Sequence, residues 1–271
     1  MISSAQRSTL SMAQRLKFTS IGQGPTIVLL HGWGVNAQIW RPLSHYLQQN
    51  FKVVLIDLPG YGVNCNANSS PYDLPNIARD IVQSIDEPAI YLGWSLGGLV
   101  ATQIALDYGQ DIITGLITVA SSPCFKEQEN WRGIKPELLA TFHHQISKDI
   151  ESTLNTFLKI QAMGSSHIKE DIKQIHQLVM SAPLPNLEAL NSGLNLLETI
   201  DLRPQLSQIT LPFLRIYGKM DSLVPKSNIA QIDQLCPNSE SITFAKASHA
   251  PFISNTQEFE QQVVRWLMAN Y

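Results

Sequence analysis

Short runs of apolar residues recur along the chain, and each stops at glycine or a small polar residue. Thr26-Ile27-Val28-Leu29-Leu30 ends at His31-Gly32, Val53-Val54-Leu55-Ile56 at Asp57, and Ala89-Ile90-Tyr91-Leu92 at Gly93. Leu116-Ile117-Thr118-Val119 ends at Ala120-Ser121-Ser122, and Phe213-Leu214-Arg215-Ile216-Tyr217 at Gly218. Ser241-Ile242-Thr243-Phe244 is the last and weakest of the series. A half-exposed strand would alternate; runs apolar on both faces predict strands of a parallel sheet covered by helices. Helical patterns follow the runs, which is the order of βαβ units in an α/β fold.

The rhythm breaks once. Between Val119 and Phe213 lie more than ninety residues with no strand pattern. Amphipathic helical spacing appears there instead, through Leu138, Leu139, Phe142 and Ile146, and through Leu154, Phe157, Leu158 and Ile160. Two further helices are predicted around Ile168, Ile172 and Ile175 and around Leu187, Leu190 and Leu194. A helical insertion at a strand's end in an otherwise regular α/β chain reads as a lid. The expected organisation is a flexible extension over 1–18, a core over 19–122 and 200–271, and a helical lid over 123–199. Residues 64–70 read as a polar loop.

Composition narrows the class. The 271 residues are 44% hydrophobic and 15% charged, so a sizeable core is available and disorder is excluded. A net charge of -3 supplies no basic field for nucleic acid or an anionic membrane. Cys65, Cys124 and Cys236 form no Cys-x-x-Cys pair, which excludes a zinc ribbon or disulfide scaffold and fits a reducing compartment. No apolar run approaches the roughly 20 residues of a membrane span, and residues 1–18 lack the apolar core of a secretory signal. A cytoplasmic monomer with no metal and no cofactor is expected.

The chemistry concentrates at Gly93-Trp94-Ser95-Leu96-Gly97, a G-x-S-x-G pattern with a strand before it and a helix after it. Such a sharp strand-to-helix turn strains the serine backbone and exposes its hydroxyl near the positive end of the helix. Serine, rather than aspartate or cysteine, at this place points to an acyl-enzyme and so to ester, thioester or amide hydrolysis or acyl transfer. The hydroxyl needs a base, and the base needs a carboxylate to orient it. In enzymes with this elbow the chain order is Ser, acid, His. His249 is the histidine that follows the last strand. Asp221 follows Phe213–Tyr217, whereas its rivals Asp201 and Asp233 lie away from any strand's C-terminal end, where such sites form. Two N–H donors must face the developing oxyanion. Leu96, directly after the serine, supplies one; the second is expected from Trp33 in His31-Gly32-Trp33-Gly34.

The elbow, with that early loop and Asp57-Leu58-Pro59-Gly60-Tyr61-Gly62, resembles the α/β-hydrolase superfamily. Val119-Ala120-Ser121-Ser122-Pro123-Cys124-Phe125, Trp131-Arg132-Gly133-Ile134-Lys135-Pro136 and residues 244–254 resemble one family within it, the pimeloyl-[acyl-carrier protein] methyl ester esterases. The resemblance runs from about residue 22 to 266. It implies an α/β-hydrolase fold: a mostly parallel central sheet flanked by helices, with a helical lid inserted after the strand ending near Val119. It also implies hydrolysis of the methyl ester of pimeloyl-[acyl-carrier protein] methyl ester, releasing methanol, in biotin synthesis. Ser95, Asp221 and His249 fall on the family's triad positions, Trp33 and Leu96 on its oxyanion and acyl-contact positions. Phe157 matches an aromatic lining the acyl channel.

The family's lid arginines are missing. Residues 151–156 read Glu-Ser-Thr-Leu-Asn-Thr, and over 123–200 seven Lys and Arg stand against nine Asp and Glu. Lys159, Lys169 and Lys173 remain as candidate contacts to an acidic carrier protein, the last two on one face at i, i+4. The residues alone also admit a broad short-chain serine esterase, or a ligand-binding module on a hydrolase scaffold.

Overall fold

The computed structural model describes residues 15–165 and 167–271. Seven strands form one sheet in the order β1-β3-β2-β4-β5-β6-β7. They are β1 (Phe18–Ile21), β2 (Thr26–Leu30), β3 (Lys52–Ile56), β4 (Ala89–Trp94), β5 (Ile113–Val119), β6 (Phe213–Gly218) and β7 (Glu240–Phe244). Every pairing is parallel except β1 with β3. Because successive side chains of a strand point to opposite faces, one continuous apolar run serves two cores. Val28, Leu30, Val54, Ile56 and Leu116 pack on one side, against Ile77 and Ile81 of α2 (Leu74–Ser84) and Leu99 and Ile104 of α3 (Leu96–Asp107). Ile27, Leu29, Val53, Leu55 and Ile117 pack on the other, against Leu43 and Leu47 of α1 (Arg41–Leu47) and Phe259 and Leu267 of α10 (Thr256–Asn270).

Four helices lie between β5 and β6: α4 (Pro136–Ile146), α5 (Ile150–Ala162), α6 (Ile168–Val179) and α7 (Leu187–Thr199). Asp149 and Asn186 cap α5 and α7 by accepting from the N–H of Ser152 and Ala189, which satisfies groups a helix start leaves open. Two short helices, α8 (Ile229–Leu235) and α9 (Pro251–Ser254), complete the set. No described helix is long and apolar enough to cross a membrane.

The structure adds three features to the pattern read from the sequence. The strand β1 escaped the pattern because its residues are exposed or half-exposed at the sheet edge, so burial imposes no apolar run on Phe-Thr-Ser-Ile. Residues 1–14 of the expected extension lie outside the described residues, and its last residues are anchored to the core. Leu16 is buried and its N–H donates to Ser84 Oγ, and the strand begins at Phe18. Asn64, placed in the polar loop, is buried and donates to the carbonyls of Asp57 and Lys17, while Lys17 N–H donates to Asn64 Oδ1.

The strand ends of β2 and β3 are joined by a buried node. Asp57 accepts from the N–H of Ala37 at 2.6 Å and of Val63 at 2.9 Å, and its Oδ1 lies 3.8 Å from His31 Nε2. Tyr61 covers the imidazole with ring centroids 5.1 Å apart. Burial holds His31 below its ordinary pKa of 6.5, with the Asp57 carboxylate opposing.

Two outcomes follow for stability. Leu92→Ala, at a fully buried position of β4, should lower unfolding free energy by about 2–5 kcal/mol in urea titrations, and Phe18→Ala at the exposed edge by less than about 0.5 kcal/mol. Below pH 6.5 the unfolded chain binds a proton at His31 that the folded chain resists, so stability present above pH 6.5 is lost as pH falls beneath it. His31→Asn has nothing to protonate, and its stability should fall less steeply over that window; equal slopes would contradict the account.

Candidate active site

The elbow is built as the pattern requires. Ser95 joins β4 to α3 with φ 54° and ψ -117°, a conformation that non-glycine residues adopt only under constraint. The neighbours leave no room for side chains. A β-carbon on Gly93 would lie 2.1 Å from the carbonyl oxygen of Gly97, and one on Gly97 would lie 2.5 Å from the carbonyl oxygens of Leu30 and His31. The turn is braced from the next strand: Ser95 N–H donates to Val119 O at 3.0 Å, and Ser121 Oγ donates to Ser95 O at 2.8 Å. Behind it, α3 is buried from Leu96 to Ala105, so the helix that follows the serine cannot tilt without disturbing the core.

Asp221 follows β6 and His249 follows β7. Both are buried, and His249 Nδ1 lies 2.8 Å from Asp221 Oδ2. The other carboxylate oxygen accepts from the N–H of Leu223 at 2.8 Å and of Val224 at 3.0 Å. With those donors in place the carboxylate is fixed before it meets the ring, and Nδ1 bears the proton that faces it. Trp94 Nε1 donates to His249 O at 2.7 Å, and the two rings lie 5.6 Å apart, so the residue before Ser95 anchors the histidine. His249 Nε2 is buried and, among the described residues, has no hydrogen-bond partner; no bond joins it to Ser95 Oγ. The structure thus joins Asp221 directly to His249 and, through Trp94, ties His249 to the residue before Ser95.

Trp33 lies in the loop after β2, fully buried, its Nε1 donating to Leu190 O of α7 at 2.9 Å. Its ring meets Phe157 of α5 edge-on at 4.7 Å, and Phe142 of α4 completes the aromatic group, 5.4 Å from Phe157. Among the described residues, neither Trp33 N–H nor Leu96 N–H donates a hydrogen bond. A cleft beside Gly34 is lined largely by aliphatic side chains, among them Leu154, Leu158, Val179 and Met180. Lys159 on α5 and Lys169 and Lys173 on α6 stand apart, exposed and without an ion pair among the described residues.

Two participants were not singled out from the sequence. Ser121, at the end of β5, braces the elbow only because the sheet sets β5 beside β4. Gln161 is fully buried on α5, and its amide nitrogen and oxygen both lack partners among the described residues. Its main-chain carbonyl accepts from Ser248 Oγ at 3.0 Å and from His249 N–H at 3.3 Å, which ties α5 to the histidine loop. An unpaired buried amide is costly unless a ligand or water pairs with it. Its spacing from Phe157, four residues on the same helix face, is the one signal in the sequence that could have marked it. Among the described residues no cluster of three or more His, Cys, Asp or Glu side chains is placed to hold a metal ion.

Comparison with known proteins agrees with this architecture. Residues 25–256 match the model of the alpha/beta hydrolase fold family. The chain is 47% identical over 238 residues to the pimeloyl-[acyl-carrier protein] methyl ester esterase of Aeromonas hydrophila subsp. hydrophila, covering 88% of this chain and 93% of that protein. The enzyme of the same name from Aeromonas salmonicida is 46% identical over 247 residues, covering 91% and 96%. Among solved structures, an esterase from Exiguobacterium antarcticum superposes with a TM-score of 0.84 at 24% identity over 93% of this chain and 95% of that one, a likeness of fold. The chain belongs to the α/β-hydrolase fold family and, within it, to the pimeloyl-[acyl-carrier protein] methyl ester esterases.

Proposed function

We propose that this chain is a serine carboxylesterase that removes the methyl group from pimeloyl-[acyl-carrier protein] methyl ester in biotin synthesis. Ser95 is the nucleophile, His249 the base, and Asp221 the carboxylate that holds it. The observation that carries the reading is the buried 2.8 Å contact between Asp221 and His249, tied by Trp94 to a serine held at positive φ. The curated relatives supply the substrate.

Ser95 Oγ attacks the ester carbonyl carbon while His249 Nε2 takes its proton. Asp221 keeps the ring in the tautomer whose Nε2 can accept, and it stabilises the imidazolium that forms. The carbonyl oxygen becomes an oxyanion between the N–H groups of Leu96 and Trp33, whose lack of other partners suits them to that task. Collapse of the tetrahedral intermediate breaks the bond to the methoxy oxygen, which leaves as methanol with the proton from His249. Water, deprotonated by the same Nε2, then attacks the acyl-enzyme and frees the carboxylic acid. The helices between β5 and β6 act as the lid over this centre. The aromatic group of Trp33, Phe142 and Phe157 offers the methylenes of the acyl chain an apolar lining. The unpaired exposed lysines at 159, 169 and 173 are the contacts offered to the acidic carrier protein.

Mass spectrometry of methyl pimeloyl-[acyl-carrier protein] incubated with the enzyme should show loss of the methyl group, and Ser95→Ala should slow it by roughly 10⁴–10⁶-fold. Cleavage of a small ester without demethylation would leave a general esterase, and cleavage of neither would favour a binding module. Reversing Lys169 and Lys173 to Glu should lower kcat/KM for the carrier-bound substrate by roughly tenfold and spare p-nitrophenyl acetate. Equal losses on both would contradict the docking role.

A further inference from the structure

The loop that carries Trp33 hangs on one buried imidazole. His31 Nδ1 lies 2.8 Å from the carbonyl oxygen of Gly32, and the N–H of Leu58 approaches its Nε2 at 3.0 Å. A carbonyl oxygen only accepts and a backbone N–H only donates, so the proton resides on Nδ1 and the lone pair on Nε2. An imidazolium would set Nε2–H against the N–H of Leu58. The two contacts therefore admit one state of the ring, neutral and protonated at Nδ1.

That state reaches the reaction centre through a single peptide plane. Among the described residues the cis peptide is Ser70–Pro71, so Gly32–Trp33 is trans. In a planar trans peptide the C=O and the N–H point in opposite directions. Clamping the Gly32 carbonyl to the imidazole consequently turns the Trp33 N–H away from His31. Gly32 itself abuts the nucleophile, since a β-carbon placed on it would lie 3.3 Å from Ser95 Cβ. The N–H so turned belongs to the residue after that abutting glycine and, among the described residues, meets no backbone acceptor.

We propose that His31 is a positioning residue for the oxyanion hole: its Nδ1–H holds the Gly32 carbonyl and thereby sets the Trp33 N–H in place before the ester arrives. The inference rests on Trp33 serving as an oxyanion donor, as in the function proposed above. Asp57 acts one step further out. Its oxygens are occupied by Ala37 and Val63, so it holds the backbone around the ring and takes no proton from it.

A donor that engages only the developing oxyanion affects kcat and leaves ground-state binding alone. His31→Phe keeps the ring's bulk and loses the donor. His31→Asn places an amide N–H close to the position of Nδ1 and keeps the bond to Gly32. With a small p-nitrophenyl ester, His31→Phe should lower kcat by roughly 10²-fold with KM changed by less than about threefold, and His31→Asn should stay within about tenfold of the wild type. In the ¹⁵N NMR spectrum of the wild-type enzyme at pH 7, the His31 ring should be neutral with the proton on Nδ1. Equal losses in the two variants, a loss carried by KM, or the opposite tautomer would overturn the inference. If His31→Phe fails to fold, the Asn variant and the ring tautomer decide. A wild type that cleaves no ester overturns the proposed function and this inference with it. An active wild type whose Phe variant keeps its kcat overturns this inference alone.

Discussion

The turn at Ser95 has no spare volume, and the site depends on that. Gly93 and Gly97 approach each other and the end of β2 so closely that no β-carbon fits between them. The strand before the turn lies between β2 and β5, so the loops after both neighbours reach the serine, His31-Gly32-Trp33 from one side and Ser121 from the other. A residue held at positive φ costs of order 1–3 kcal/mol, which must be offset elsewhere. The burial of α3 from Leu96 to Ala105 and the brace from Ser121 are the interactions that hold it there.

The other half of the sheet delivers a carboxylate and an imidazole. Loops after β6 and β7 bring Asp221 and His249 together, and each partner arrives already oriented. Asp221 is pinned by two backbone donors, while His249 is pinned through its carbonyl by Trp94 and through its N–H by Gln161. Little reorganisation is then left for the moment of reaction, which is where fixed dipoles outperform water. The bonds from Ser248 to the carbonyls of Gln161 and Met163 add a mechanical consequence. The C-terminal end of α5 is tied to the histidine loop, and the same helix carries Phe157 against Trp33. Any movement of α5 is therefore felt at the loop that carries His249.

The legibility of these features followed their physics. The central strands were readable because burial on both faces leaves a continuous apolar run, and Ser95, Asp221 and His249 were readable because each closes or follows such a run. The edge strand β1 leaves no comparable trace, since its side chains face water. Ser121 and Gln161 were unreadable for another reason. Their importance lies in which groups the fold sets beside them, and a serine at a strand end or a glutamine on an amphipathic helix carries no local mark of that. His31 stood in plain view at the head of the loop, but the hydrogen bond it accepts from Leu58 exists only once β2 and β3 are paired. For the lysines, exposure is visible in the structure, whereas the partner they meet is a property of a second molecule.

The proposed mechanism requires a strained serine, a prearranged Asp–His pair and the N–H groups of Trp33 and Leu96 to converge on one carbonyl. A crystal structure of the enzyme after reaction with an alkyl fluorophosphonate would reveal that convergence, because the phosphonyl group mimics the tetrahedral intermediate. The account predicts a covalent bond to Ser95 Oγ, one phosphonyl oxygen about 2.7–3.1 Å from the N–H of both Trp33 and Leu96, and His249 Nε2 within hydrogen-bond reach of the adduct. An adduct on another residue, or one whose oxygen turns away from those two N–H groups, would contradict it.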